Sequence, residues 1–193
     1  MNLPNILTLL RILMTFVFLV FLNKGDFSST VVAFVVFVAA SLTDFLDGYI
    51  AKRYNLISNF GRIMDPIADK FLMLSAFYMF MQMNIIAEWM FYIIFIREIL
   101  VTLVRFYAMG KGVVMAAEKA GKYKTMFQIS TVIVILLYLI LYRWAAEASA
   151  VMDTVFCVLQ KRYLVIAGLM LITVLLTLVS GISTLWRNRK VFL

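Results

Sequence analysis

The chain has no histidine, a single cysteine (Cys157), two prolines and only ten acidic residues among 193. Each scarcity excludes something. Without imidazole there is no Ser-His-Asp or Cys-His catalysis, no ordinary zinc site and no haem held through histidine. One cysteine cannot build a disulfide scaffold. Charged residues make up 15% of the chain, against about 25% in soluble proteins. What fills the space is apolar: 65% hydrophobic residues, including 17 Phe and 13 Met, with a mean hydropathy of +1.01. Such a composition excludes disorder, and it leaves too few polar groups to cover a water-facing surface. The net charge of +8 is compatible with nucleic acid in principle, but in a chain this apolar it points to a membrane.

A helix that crosses a bilayer needs about 20 mostly apolar residues. Six stretches qualify: Ile6–Leu22, Val31–Ile50, Ile63–Met81, Ile86–Tyr107, Tyr123–Tyr142 and Tyr163–Trp186. The runs are continuous and do not alternate at period two, so helices are expected and not barrel strands. The expected fold is therefore all-α: a polytopic membrane protein of six transmembrane helices, forming one domain over residues 1–193. The N-terminal run resembles a signal peptide, but Arg11 interrupts it and no small-residue cleavage site follows, so it is expected to remain in the mature protein. Basic residues set the orientation. Lys52, Arg53, Arg62, Lys111, Lys119, Lys122, Lys124, Arg187, Arg189 and Lys190 fall on one side, against Lys24, Arg143, Lys161 and Arg162 on the other. Both termini are thus expected on the cytoplasmic side of the plasma membrane. Trp89, Trp144 and Trp186 sit near span ends, where interfacial anchors belong.

The few acids are not scattered. Asp44 and Asp47 close the second span and Asp65 and Asp69 open the third. Spacings of three and four put each pair on one helix face, and both pairs approach the same side of the membrane. An intramembrane carboxylate costs roughly 2.5–3.5 kcal/mol on insertion scales, so four together need a purpose. Like charges so close would take up protons unless cations neutralise them. Carboxylates without His or Cys suit hard ions, Mg²⁺, Mn²⁺ or Ca²⁺, and a pair of such ions is the usual clamp for phosphoryl transfer. Gly48, Ala51 and Gly61 let a ligand or a helix approach the backbone. Lys52, Arg53 and Arg62 bring cations beside the acids, where a phosphate would sit.

These residues carry a resemblance. DFLDGYIAK followed by GRIMDPIAD is similar to the pattern D-x2-D-G-x2-A-R-x8-G-x3-D-x3-D of the CDP-alcohol phosphotransferase family, complete in spacing from Asp44 to Asp69. One position departs: Lys52 stands where the family has Arg, with Arg53 next, and Lys cannot make a bidentate contact. Further stretches, NLPNILTLLRI, SLTDFLDGYIAKRYN and REILVTLVRFYAMGKGVVMAAEKAGKYKTMFQ, resemble the branch that uses glycerol 3-phosphate as acceptor. The resemblance implies a six-helix membrane enzyme with a polar cavity facing the cytoplasm, a homodimer, that converts CDP-diacylglycerol and glycerol 3-phosphate to phosphatidylglycerophosphate and CMP. It implies metal ligation by Asp44, Asp47, Asp65 and Asp69 with two divalent cations, Mg²⁺ or Mn²⁺. Asp69 would also be the candidate general base, and Gly48, Ala51, Lys52 and Gly61 would surround the cytidine diphosphate.

The remaining charges extend this reading. Arg97, Glu98 and Arg105 lie within the fourth span. Arg105, Lys122, Lys124 and Arg62 form a candidate site for the acceptor phosphate, with Glu98 orienting an arginine; a structural ion pair plus ordinary cytoplasmic loop charge is the alternative. Thr125 and Gln128 extend the face of Lys124, and Asn5, Thr8 and Arg11 form a stripe expected to line the cavity. Inositol phosphate, serine and phosphatidylglycerol remain alternative acceptors. A divalent-cation transporter is the competing class, but its acids should run through the membrane depth, often within an inverted repeat.

Overall fold

The computed structural model describes residues 3–54, 59–111, 119–147 and 162–189. Among these the chain is all-helical: α1 (Leu3–Lys24), α2 (Phe27–Tyr54), α3 (Asn59–Gln82), α4 (Glu88–Gly110), α5 (Lys119–Glu147) and α6 (Arg162–Arg187). All six expected spans coincide with a helix, and every helix is longer than its apolar run. The extra turns are polar or charged, such as Ala51–Tyr54 on α2, because a backbone already hydrogen-bonded within a helix continues it at little cost beyond the apolar segment.

Successive helices run in opposite directions, joined at one end by tight turns. Gly25 at φ +86° allows the α1–α2 reversal, and Asn84 at φ 54° the α3–α4 reversal; Asn is one of the few side chains tolerated there. Helix α2 starts on a capping residue: Ser29 N–H donates to Asp26 Oδ2 at 2.8 Å, and the Thr30 hydroxyl to the Asp26 carbonyl at 2.6 Å. Packing makes a ring in the order α1, α2, α5, α6, α4, α3 and back to α1, with a further contact between α3 and α5 across it.

The core lies inside this ring and is aromatic: Phe18, Phe37, Phe77 and Phe80 are fully buried, with Leu22, Ile135, Leu136 and Met170 around them. The outside is apolar as well. Leu13 and Phe16 on α1, Val35 and Leu42 on α2, Leu100 and Leu103 on α4, and Leu175, Val179 and Ile182 on α6 are all exposed. A water-soluble monomer rarely exposes contiguous apolar surface beyond a few hundred Å². Two helical stretches, Gly121–Ala146 and Leu164–Arg187, are long and apolar enough to cross a membrane by length and composition. Trp89, Trp144 and Trp186 are exposed near helix ends, as the interfacial reading requires. The chain is thus built as an integral membrane protein.

The hydrogen bond from Ser29 N–H holds the exposed Asp26 carboxyl below its usual value, helped by the nearby Lys24 charge. A carboxyl lowered by folding contributes stability that is present above the unfolded value and is lost as pH falls through the folded one. Asp26→Asn should therefore melt below wild type at neutral pH, and the gap should narrow on acidification below the ordinary carboxylate range. Thermal unfolding in detergent across that pH series checks this; a gap that widens with acid contradicts it.

Candidate functional site

The α1 N-terminus, the α2 C-terminus, the α3 N-terminus, the α4 C-terminus and the α5 N-terminus share one end of the ring, opposite the tight turns. The four aspartates are there. Asp44 and Asp47 lie on the last turns of α2, and Asp65 and Asp69 on the first turns of α3. The side chains of Asp44, Asp47, Asp65, Asp69, Gly48, Ala51, Lys52, Gly61 and Arg62 lie outside the described residues, so the helices give their register only. Among the described residues no group of three or more His, Cys, Asp or Glu could hold a metal ion.

Register nevertheless ties a buried cation to these positions. Phe18 of α1 meets Phe37 of α2 with ring centroids 5.6 Å apart. Two helical turns from each, towards the acidic end, lead to Arg11 and to position 44. On the other flank, Phe16 meets Phe71 of α3 at 5.7 Å; α1 and α3 run parallel, which sets Arg11 level with position 66, between Asp65 and Asp69. Arg11 is 2% exposed and Thr8 equally buried, while Leu9, Leu10 and Leu13 beside them face outward. Thr8 and Arg11 of the expected stripe thus point inward, level in register with the acidic positions, while the Asn5 side chain lies outside the described residues.

The donor set fits hard divalent cations: four carboxylates, with no imidazole anywhere in the chain. Ser41, one turn before Asp44, adds a buried hydroxyl oxygen without a hydrogen-bond partner among the described residues.

One turn inward from the acids is a second charged cluster, with all its side chains described. Glu98 of α4 is 5% exposed. Its Oε1 accepts from Arg97 Nη1 at 3.0 Å and from Lys124 Nζ of α5. Its Oε2 accepts from Lys70 Nζ of α3 at 3.0 Å, and its main-chain carbonyl accepts from the same ammonium at 3.1 Å. Arg97 Nη2 donates to Ser180 Oγ of α6 at 2.8 Å. Four helices therefore meet at one carboxylate. Glu98 is expected from sequence to orient an arginine of the acceptor site; among the described residues it pairs with Arg97, its neighbour in sequence, and not with Arg105.

Of the expected acceptor-phosphate residues, Lys124 is in this cluster and buried. Arg105 and Lys122 are exposed and have no hydrogen bond or ion pair among the described residues. Thr125 and Gln128 line a small space with Lys124, but the Thr125 hydroxyl bonds its own helix at Gly121 (3.1 Å) and Gln128 Nε2 donates to Thr177 at 3.3 Å. Lys70 was not singled out by the sequence reading. The available signal was its place directly after Asp69, four helical positions from Pro66.

Comparison with known proteins places the chain in a family. Residues 1–186 match the model of the CDP-alcohol phosphatidyltransferase family; the chain belongs to this family. It is 39% identical over 149 residues to the CDP-diacylglycerol–glycerol-3-phosphate 3-phosphatidyltransferase of Bacillus subtilis, covering 71% of this chain and 77% of that protein. To the enzyme of that name from Rickettsia typhi it is 35% identical, over 70% of this chain and 76% of the relative. A probable phosphatidylglycerophosphate synthase of Mycobacterium tuberculosis is 41% identical over 66% of this chain, which spans 62% of that longer protein.

Gly181 follows Ser180 on the buried face of α6, and a Cβ there would come within 3.0 Å of both Cγ and Nε of Arg97. Arg97 is held at both ends of its guanidinium, so it has little room to give. Gly181→Ala should destabilise the protein by about 1–3 kcal/mol through overpacking, read as a lowered melting temperature in detergent. Unchanged melting would show that Arg97 moves freely.

Proposed function

We propose that the chain transfers the phosphatidyl group of CDP-diacylglycerol to glycerol 3-phosphate, releasing CMP. The observation that carries this is the pattern from Asp44 to Asp69, complete in spacing and matched at seven of its eight fixed positions, with Lys52 in place of Arg, on two consecutive helices. The relatives named above supply the acceptor, and the cation-rich cluster beside Asp69 supports an acceptor that carries phosphate. The six helices are read as six membrane spans, with both termini and the site facing the cytoplasm at the plasma membrane, and the functional unit as a homodimer.

Asp44, Asp47, Asp65 and Asp69 would hold two divalent cations, Mg²⁺ or Mn²⁺. When bound, these supply Lewis acidity and neutralise the charge of the pyrophosphate and of departing CMP. Small residues at 48, 51 and 61 let the nucleotide approach the helix backbones, with Lys52 beside it. In the reaction, a hydroxyl oxygen of the acceptor bonds to the phosphorus that carries diacylglycerol. The bond from that phosphorus to the CMP oxygen breaks, and the hydroxyl proton passes to Asp69. A carboxylate within hydrogen-bond reach of that hydroxyl is the group such a transfer needs. Arg62, Arg105, Lys122 and Lys124 form the candidate cationic lining for the acceptor phosphate, and the lipid tails stay in the bilayer against the apolar outside of the ring.

Detergent-purified protein incubated with CDP-diacylglycerol, Mg²⁺ or Mn²⁺ and one alcohol at a time tests this reading. CMP release with glycerol 3-phosphate is expected. Release only with inositol phosphate, serine or phosphatidylglycerol would reassign the acceptor, and cation flux without CMP would return the transporter. Asp65→Asn should give a folded protein whose turnover falls by about a thousandfold or more, as loss of a metal ligand at a reacting centre implies. Wild-type-like CMP release from this variant would sink the metal assignment.

A further inference from the structure

We propose that Lys70 and Lys124, held on the two oxygens of the buried Glu98 carboxylate, form the recognition point for a phosphate monoester on the acceptor, with Glu98 and Arg97 as positioning residues. The proposal rests on the acceptor reading above and sharpens it, moving the centre of the phosphate site from Arg105 and Lys122 to a pair of lysines on α3 and α5.

Charge arithmetic is the first argument. Glu98 faces Lys70, Arg97 and Lys124 at once. Among the described residues, three cations on one anion leave two positive charges in surroundings where uncompensated charge is costly. A phosphate monoester carries about −1.5 to −2 at pH 7 and matches that excess. A neutral alcohol would leave it unbalanced.

Donor capacity is the second. An ammonium has three N–H donors. Among the described residues Lys124 has one acceptor, Glu98, and Lys70 has two, both on Glu98. Arg97 differs in position: its terminal nitrogens bond Glu98 and Ser180, its Nε is buried without a partner among the described residues, and its stem lies against Gly181. Arginine thus anchors the carboxylate away from the opening, and the lysines keep donors for a ligand.

Access is the third. The Lys124 side chain is 6% exposed and that of Lys70 19%, so the cluster opens at Lys70, next in sequence to Asp69. The space beside them, polar at Lys70, Glu98, Lys124, Thr125 and Gln128 and apolar at Met73, Leu74, Phe77 and Ile94, has a volume of about 20 Å³, roughly what one water-sized group needs. It admits a single phosphate oxygen, with the rest of the phosphate outside, on the side of Asp69. Glycerol 3-phosphate anchored there would have its hydroxyls directed towards the aspartates and its charge towards the lysines.

Lys70→Met tests this, since Lys70 stands at the rim. KM for glycerol 3-phosphate should rise by about tenfold or more, the worth of one charge-assisted hydrogen bond. KM for CDP-diacylglycerol should stay within about threefold, and Lys70→Arg should recover most of the loss. Inorganic phosphate should raise the melting temperature of wild type and do so less in Lys70→Met. An unchanged KM for glycerol 3-phosphate, or equal rises in both KM values, overturns the proposal; if Lys70→Met does not fold, Lys70→Gln is judged by the same criteria. Should wild type release CMP only with an unphosphorylated acceptor, the acceptor reading falls separately. The lysine pair is then judged by the phosphate-induced shift, and equal shifts in wild type and variant overturn it.

Discussion

Much of this architecture turns on the Glu98 carboxylate. It receives Lys70 from α3 and Lys124 from α5, and through Arg97 it reaches Ser180 on α6. The helix ring is otherwise joined by apolar packing, which is tolerant of sliding and rotation. Directional, charge-assisted bonds fix what packing leaves free, namely the height and rotation of four helices relative to one another. Removing one partner of such a buried group is strongly destabilising, by about 3–5 kcal/mol, because the remaining charges lose their compensation. The carboxylate also binds Lys70, the residue directly after Asp69, so whatever fixes α3 at Lys70 fixes the register of the acid pair on the same helix.

Hydroxyl groups continue this order between α5 and α6. Thr131 and Thr173 lie 3.0 Å apart and each donates or shares a bond with its own helix, Thr131 at Phe127 and Thr173 at Leu169. With Thr177, Ser180 and Thr184 they form a buried polar seam along α6. A hydroxyl that can return to the carbonyl four residues back is never stranded. Such residues can therefore be buried in an apolar bundle and still let two helices approach closely.

The helices were legible because apolar runs bounded by charge are an unambiguous signal at this length, and all six runs proved to be helical. Their ends were less so: the polar turns at Ala51–Tyr54 and Lys119–Lys122 carry no apolar period and extend the helices beyond the runs. For the site, spacing alone placed Asp44, Asp47, Asp65 and Asp69 on two neighbouring helix ends, and Arg11 on an inward face. Spacing could not reveal Lys70 meeting Lys124, because these are on helices that touch across the ring, and the distance between them in sequence says nothing of that. For the same reason Arg105 looked more promising than Lys70. An isolated arginine in an apolar run stands out in sequence, whereas a lysine directly after a motif aspartate is hidden by the motif.

With α3 and α4 as membrane spans, as proposed above, the charges on α4 have a consequence for how the protein enters the membrane. Arg97, Glu98 and Arg105 make α4 a poor candidate for independent insertion, since each charge at a helix centre costs about 2.5–3.5 kcal/mol on insertion scales. Only Met83–Ala87 separates α3 from α4, and the antiparallel pair brings Lys70 to Glu98. The two helices can thus enter as a hairpin with one carboxylate already matched, before α5 has been synthesised. Lys124 arrives later, with its own charge to be compensated, and finds the anion waiting. The same residue that fixes the finished bundle therefore also gives its assembly an order.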